Sequence, residues 1–152
     1  MQNLNEKAIE KIKSYCYSNE RCELEVSIKL KKWGVKENDI QNIITSLKED
    51  NLINEERYSR AFCRGKFRIK EWGKRKIFNE LRKKNISERN IKQGILEIDD
   101  EEYYNVLSRL FKKKESSLKD TNKFIKVSKV IKHLEQKGFE TNLIWEMLRN
   151  EK

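Results

Sequence analysis

The feature that most constrains the fold is an apolar pattern that occurs three times along the chain. An aliphatic residue is followed four positions later by Leu, and four positions after that by Gly or Asn. The copies begin at Val26, Ile77 and Val130 and keep the same spacing without a gap. Apolar residues four apart lie on one face of a helix, and Gly or Asn is the usual left-handed residue at a helix C-terminus. Each copy therefore predicts a helix–turn–helix corner.

The pattern continues with an aliphatic residue or Phe directly after the Gly or Asn, and then with two more aliphatic positions. The full sets are Val26, Leu30, Gly34, Val35, Ile40 and Ile44; Ile77, Leu81, Asn85, Ile86, Ile91 and Ile95; and Val130, Leu134, Gly138, Phe139, Ile144 and Leu148. A further helix is predicted before each corner. Asn54 and Asp99 are suitable N-caps for two of these helices, and Ser87 for the helix after the middle corner.

The fold class that follows is all-α, with three tandem three-helix repeats forming an elongated array. Proline is absent, only five glycines occur, and no stretch alternates as a strand does. We predict a single domain over residues 1–152, with repeats at 5–52, 53–98 and 99–152. Hydrophobic residues make up 36% of the chain and charged residues 39%, which predicts a thin core.

The composition also bounds the compartment and the chemistry. No apolar run approaches the length of a membrane span, which is about 18 residues, and the first residues lack the apolar core of a signal peptide. The three cysteines form no CxxC pair, which favours a reducing cytoplasm. No phosphate-binding loop, HExxH motif or nucleophile–base pair is present. We therefore expect a non-enzymatic cytoplasmic protein without cofactor or metal, and we interpret the acidic run from Asp99 as helix capping.

The net charge of +10 is concentrated in two short segments. Residues 60–84 carry 11 basic and 2 acidic groups, and residues 109–132 carry 9 basic and 2 acidic groups. Localised positive charge of this kind indicates a polyanionic partner or an acidic protein surface. The polar part of the segment 109–126 is interpreted as a long loop between two helices.

A helical projection orders the basic side chains of the middle repeat. With Phe62 at zero, Tyr58, Gly65 and Ile69 fall within about 60° and are predicted to be buried. Four arginines fall about 160–240° away and form one ridge; they are Arg57, Arg60, Arg64 and Arg68.

Adding neighbouring cations and aromatics gives a candidate contact set for a polyanionic partner. Phe67 and Trp72 can stack on bases or plug a protein groove, or they can pack between repeats. The complete set is Arg57, Arg60, Arg64, Lys66, Phe67, Arg68, Lys70, Trp72, Lys74, Arg75, Arg82, Lys83, Arg109, Lys112 and Lys113.

Helix-turn-helix readers of DNA show a similar corner, but they place basic and amide side chains on the second helix. Here the second helices of the three repeats carry no net positive charge. Sequence-specific operator recognition is therefore not favoured.

The middle of the chain, LINEERYSRAFCRGKFRIKEWGKRKIFNELRKKNI, closely resembles the RecX family of bacterial recombination regulators. The resemblance lies in Arg57-Tyr58-x-x-Ala61-Phe62, Trp72-Gly73 before Ile77, Glu80-Leu81-Arg82 and the corner, where Asn85 replaces a common glycine. It implies a non-enzymatic modulator of RecA that binds the RecA–single-stranded DNA filament. The implied effect is to curb the ATPase, strand exchange and SOS coprotease activity of RecA.

The resemblance implies RecA and its filament as partners. Single-stranded DNA is a second candidate partner, no membrane is involved, and a monomer is expected. Two alternatives stay open at this stage. One is a RecA-independent nucleic-acid-binding protein that uses a basic helical face. The other is a helical scaffold that binds a different acidic partner.

Overall fold

The computed structural model describes residues 4–150 and contains only helices in that range. The nine helices among these residues are α1 Leu4–Ser18, α2 Glu23–Lys32, α3 Glu37–Glu49, α4 Glu55–Arg68, α5 Lys74–Lys83, α6 Glu88–Ile95, α7 Asp100–Ser117, α8 Lys123–Gln136 and α9 Thr141–Asn150. They follow one another in three groups of three. The predicted all-α class and the threefold helical repeat are confirmed.

The three corners have the backbone conformation that the sequence predicts. The φ angles are +85° at Gly34, +62° at Asn85 and +100° at Gly138, all in the left-handed region that Gly and Asn tolerate best. In each corner the next residue donates its N–H to the carbonyl of the Leu that lies five positions earlier in the pattern. These bonds run from Val35 to Leu30 at 3.0 Å, from Ile86 to Leu81 at 3.1 Å and from Phe139 to Leu134 at 3.0 Å.

The predicted N-caps are also present. In each case the side-chain oxygen accepts a hydrogen bond from the backbone N–H three residues later, at 3.0 Å for Asn54, 3.2 Å for Ser87 and 2.9 Å for Asp99. These bonds satisfy N–H groups that have no partner inside the helix. The acidic run from Asp99 therefore begins α7, as the sequence indicates.

The chain forms two compact units. The first comprises Met1–Phe62 with Leu81–Gly94, and the second comprises Cys63–Glu80 with Ile95–Lys152. Helices α4, α5 and α6 thus contribute residues to both units, α6 only through Ile95. The proposed repeat bounds follow the helix order and divide the chain differently, and the last two residues of repeat three lie outside the described residues.

Each unit has its own apolar core. In the first unit, aliphatic residues of α1, α2 and α3 form one buried cluster, which includes Ile12, Leu30 and Ile40. In the second unit, the ring of Tyr103 lies 5.7 Å from that of Phe67 and 5.2 Å from that of Phe139, measured between centroids. Aromatic rings at these separations stabilise a core beyond the area they bury.

The predicted buried stripe of α4 is partly wrong. Tyr58 is buried, but Ile69 is 79% exposed, whereas Cys63 and Phe67 are buried. The buried positions Tyr58 and Cys63 are about 140° apart around the helix. Because α4 packs over a wide arc, a single narrow stripe centred on Phe62 does not describe it.

The predicted long loop before α8 is wrong as well. Helix α7 continues through the lysine run to Ser117, and only residues 118–122 separate it from α8. Lysine and glutamate have high helix propensity, so the polar composition extends the helix. Asn122 then caps α8 by accepting the N–H of Phe124 at 2.9 Å.

The three cysteines are buried free thiols, with Cys16 in α1, Cys63 in α4 and Cys22 at the N-terminus of α2. Burial raises the pKa of Cys22 to about 11. Such thiols act as small apolar residues. Over residues 4–150, none of the helices combines the length and apolar character needed to cross a bilayer.

Candidate functional site

The α4 arginines of the first unit are engaged by carboxylates. Arg57 Nε lies 2.5 Å from Glu20 Oε2, and Arg57 Nη2 donates to the Asn51 carbonyl at 3.0 Å. Arg60 Nη2 lies 3.5 Å from Glu56 Oε1, one turn earlier on the same helix. These two arginines therefore stabilise the first unit, and part of their charge is already neutralised.

The other two arginines of the predicted ridge belong to the second unit. Arg64 Nη1 forms an ion pair with Glu97 Oε1 at 3.2 Å. Arg68 is exposed and makes no ion pair with any described residue. Of the four ridge arginines, Arg68 is thus the one that keeps its full charge for a partner.

Phe67 does not belong to an exposed contact surface. Its side chain is only 3% exposed and packs against Tyr103. The packing interpretation of this residue is therefore the correct one, and Phe67 leaves the candidate set.

Trp72 is half-buried and has a cation on either side of it in sequence. Lys66 Nζ lies 5.0 Å from the centre of the indole ring, and Lys76 Nζ lies 4.5 Å from it. Ammonium groups at this distance are attracted by the ring face. Both lysines therefore lie on the Trp72 ring, and one of them, Lys76, is absent from the predicted set.

Two backbone hydrogen bonds join the start of α5 and the turn before it to the corner after α8. Gly73 N–H donates to the Lys137 carbonyl at 2.7 Å, and Arg75 N–H donates to the Gly138 carbonyl at 2.9 Å. The approach is so close that a Cβ on Gly73 would lie 2.2 Å from the Gly138 carbonyl carbon. This contact, called the glycine contact below, places Lys137 beside the turn that carries Trp72.

Further cations surround Lys137. Burial and the nearby charges of Lys76, Lys113 and Arg109 lower the pKa of the Lys137 ammonium. Its Nζ donates to the Lys70 carbonyl at 3.5 Å. Arg109 also forms an ion pair with Glu71. We define the basic cluster by its five cations and its aromatic residue: Lys66, Trp72, Lys76, Arg109, Lys113 and Lys137.

The remaining predicted residues divide into exposed and structural positions. Lys74 Nζ lies 3.2 Å from Asp100 Oδ1 and 4.5 Å from the Tyr103 ring centre, which fixes the start of α5. The exposed positions are Lys70, Arg75, Lys112 and Lys113 in the second unit and Arg82 and Lys83 in the first.

The basic cluster has the chemistry of an anion-binding surface. It brings Lys76, Arg109 and Lys113 near Lys137, with Lys66 on the Trp72 ring, and like charges placed in this way repel one another until an anion lies between them. Across residues 4–150 no group of three or more His, Cys, Asp or Glu side chains is arranged to hold a metal ion. Phosphate oxygens or the carboxylates of a protein surface are the matching ligands.

Sequence reasoning missed Lys76 and Lys137, which lie far apart in the chain. The positions of these two lysines in the sequence could have indicated them. Lys137 precedes the third corner glycine and Lys76 follows Trp72-Gly73, so each lies beside a residue that the pattern had already marked.

A protein-family model described as "RecX, second three-helix domain" matches residues 54–95. These residues include α4, α5 and α6, and with them the turn that carries Trp72.

Curated relatives share the same name. Regulatory protein RecX of Clostridium perfringens (strain 13 / Type A) is 31% identical over 122 residues, which is 79% of this chain and 57% of that protein. The Lactobacillus johnsonii RecX is 29% identical over 90% of this chain and 50% of its own length. The chain therefore spans about half the length of the curated relatives it matches. These relatives are named as regulatory proteins and not as enzymes.

Solved structures share the fold. A crystal structure of regulatory protein RecX covers 97% of this chain, and 72% of that structure is covered in return, with a TM-score of 0.87 at 23% identity. RecX from Lactobacillus salivarius gives a TM-score of 0.85 at 22% identity, over 97% of this chain and 96% of that structure. By sequence the chain is similar to RecX proteins, and its three-helix repeats share the fold of the solved RecX structures.

Proposed function

We propose that this chain is a regulator that binds RecA, or the RecA–single-stranded DNA filament, and inhibits its ATPase, strand exchange and coprotease activity. In the cell it would then modulate homologous recombination, DNA repair and the SOS response. The observation that carries the proposal is the basic cluster, which offers several cations and a half-exposed indole to one anionic partner. The similarity to proteins named RecX supports RecA as that partner.

The contacts that we propose begin with the basic cluster and extend to exposed cations near it in the same unit. These are Arg68, Lys70, Arg75 and Lys112. Arg57, Arg60, Arg64 and Lys74 rank below them because each engages a carboxylate and lies outside the basic cluster. Arg82 and Lys83 are exposed on the first unit and extend the set there. We further propose that the protein acts as a monomer of three repeats over residues 5–52, 53–98 and 99–152.

The ATPase of RecA on single-stranded DNA provides the direct test. Wild-type protein should suppress hydrolysis at or below one molecule per RecA. The double substitution Lys76→Glu with Lys137→Glu should raise the concentration needed for half inhibition at least tenfold, because two attractive contacts become repulsive.

A matched control changes the same charge in the first unit. Lys31 and Lys32 are exposed on α2, so Lys31→Glu with Lys32→Glu should leave inhibition within twofold of wild type. A second pair, Lys112→Glu with Lys113→Glu on the surface of α7, tests the same region without touching the glycine contact. Absence of inhibition by folded wild-type protein at every ratio would refute the proposal. Equal inhibition by all variants would move the contact surface elsewhere.

A nucleic-acid-binding role without RecA is the second candidate. Trp72 with flanking lysines favours it, because bases stack on aromatic faces while cations contact phosphates. It predicts that affinity for single strands falls with salt at a log–log slope of about −0.7 per phosphate contact. Gel shifts at two salt concentrations, with and without RecA, separate the candidates. Negligible DNA binding in both cases would instead favour a scaffold for another acidic protein.

A further inference from the structure

A groove in the second unit is distinct from the basic cluster in its chemistry. It lies where α7, α8 and α9 meet and has a volume of about 700 Å³. Its apolar lining comes from all three helices and consists of Phe111, Phe124, Val127, Trp145 and Leu148. A concave surface of this size can receive several apolar side chains from one ligand.

The groove leaves large aromatic surfaces in water. Phe124 is 86% exposed in the first turn of α8, and Trp145 is 47% exposed on α9. Exposed aromatic residues that border one apolar concavity are characteristic of binding surfaces, whereas single exposed apolar residues are ordinary. Phe124 and Trp145 thus offer exposed aromatic surface to an inserted apolar side chain.

The charges around the groove indicate which class of ligand it can bind. Lys112, Lys123 and Arg149 contribute to the lining from three different helices, and Glu115 is the acidic lining residue. None of these three cations makes an ion pair with a residue in the described range. An apolar floor bordered by uncompensated positive charge complements a ligand with apolar side chains on one face and carboxylates beside them.

We propose that this groove binds an amphipathic, acidic helical segment of a partner protein. The apolar face of the segment fills the floor, and its Asp and Glu side chains approach Lys112, Lys123 and Arg149. Phe124 and Trp145 offer faces on which a base could stack, but a nucleic acid would leave aliphatic Val127 and Leu148 without an apolar partner, and Glu115 repels phosphate. The inference does not rest on the proposed action on RecA.

A peptide selection tests the proposal and does not require that the partner be identified first. A displayed library of 16-residue helical peptides is selected on the wild-type protein and counter-selected on Phe124→Asp. We expect recovered peptides to carry apolar residues at i, i+3 or i+4, and i+7, with an excess of Asp and Glu. The proposal would be overturned if no peptide were enriched that binds wild type in preference to Phe124→Asp. It would also be overturned if the enriched peptides carried no excess of Asp and Glu.

Fluorescence anisotropy with one labelled recovered peptide gives the quantitative test. Phe124→Asp and Lys123→Glu should each weaken binding at least tenfold, as should replacement of the peptide acids by Lys. Ile28→Asp is the matched control, since Ile28 is a 57% exposed apolar residue on α2 of the first unit, and it should leave the affinity unchanged. Equal binding by wild type and Phe124→Asp would refute the site.

Two further outcomes would overturn the proposal by assigning another occupant. A labelled 20-mer of thymidine whose binding is weakened by Phe124→Asp and not by Ile28→Asp would make the groove a nucleic-acid site. A wild-type dimer in light scattering that Phe124→Asp converts to monomer would make it a contact between copies of the chain.

Discussion

The two compact units carry similar net charge but arrange it differently. By sequence the first has 16 basic and 12 acidic residues, a net of +4, and the second has 19 and 13, a net of +6. In the first unit cations face carboxylates that are distant in the sequence, as Arg57 faces Glu20 and Lys84 faces Glu25 at 3.4 Å. In the second unit, cations of α5 and α7 lie near Lys137.

Net charge alone therefore does not mark a binding surface in this protein. Paired cations contribute to the fold and are partly neutralised, whereas clustered cations cost stability that an anionic ligand restores. The glycine contact is what holds the cluster together. Disrupting the glycine contact is therefore the most severe test of the difference in charge arrangement between the two units.

Gly73→Ala should have the largest effect on stability. The new Cβ would lie 2.2 Å from a backbone carbon, which cannot move aside as a flexible side chain can. We expect a loss of about 3 kcal/mol or more in the free energy of unfolding, measured by urea denaturation. Gly65→Ala is the matched control, because nothing lies within 4 Å of its Cβ position in the interior of α4. It should stabilise the protein by about 0.5–1 kcal/mol. Equal effects of the two substitutions would contradict the tight approach.

Tyr103→Phe should have the next largest effect. The Tyr103 hydroxyl donates to Glu140 and accepts the N–H of Lys74 at 2.9 Å, so its removal leaves two polar groups without this partner. We expect a loss of about 1–3 kcal/mol. Thermal unfolding of the full chain measures it, and Tyr17→Phe, at an exposed tyrosine, should change nothing measurable. A neutral result at Tyr103 would mean that water replaces both bonds.

Single charge removals should have the smallest effects, with opposite signs in the two units. Arg57→Gln removes the contact with Glu20 and should cost about 1 kcal/mol, a value limited by partial exposure of both side chains. Lys113→Gln removes a cation that only adds repulsion, so it should stabilise by roughly 0.2–0.5 kcal/mol. Urea denaturation at low salt measures both, and high salt should reduce each effect. If both substitutions changed the stability in the same direction, the proposed difference in charge arrangement between the two units would be contradicted.

Much of the fold could be predicted because its signals are local. The corner residues Gly34, Asn85 and Gly138 are recognisable by type and spacing, and the capping residues lie within one turn of the groups that they bond. The prediction of which α4 residues are buried was partly wrong for a physical reason. A helix that packs over a wide arc gives no narrow apolar stripe. Ile69 was therefore predicted to be buried although it is exposed, and Phe67 was included in the contact set although it is buried.

The basic cluster could be predicted only in part because it depends on a contact between distant segments. Trp72, Lys66, Arg109 and Lys113 lie in segments of high positive charge, which the sequence displays directly. Lys137 joins them only through the backbone bonds of Gly73 and Gly138, and no periodicity reveals such a bond.

The position of the tryptophans has an optical consequence. Trp33 packs against the core of the first unit, Trp72 lies near two ammonium groups, and Trp145 borders the groove. Indole emission depends on nearby charge and water, so each ring reports on a different part of the chain. In variants that retain one tryptophan at a time, a shift in emission wavelength would distinguish the two events without any added label. Trp72 would report anion binding, and Trp145 would report peptide binding.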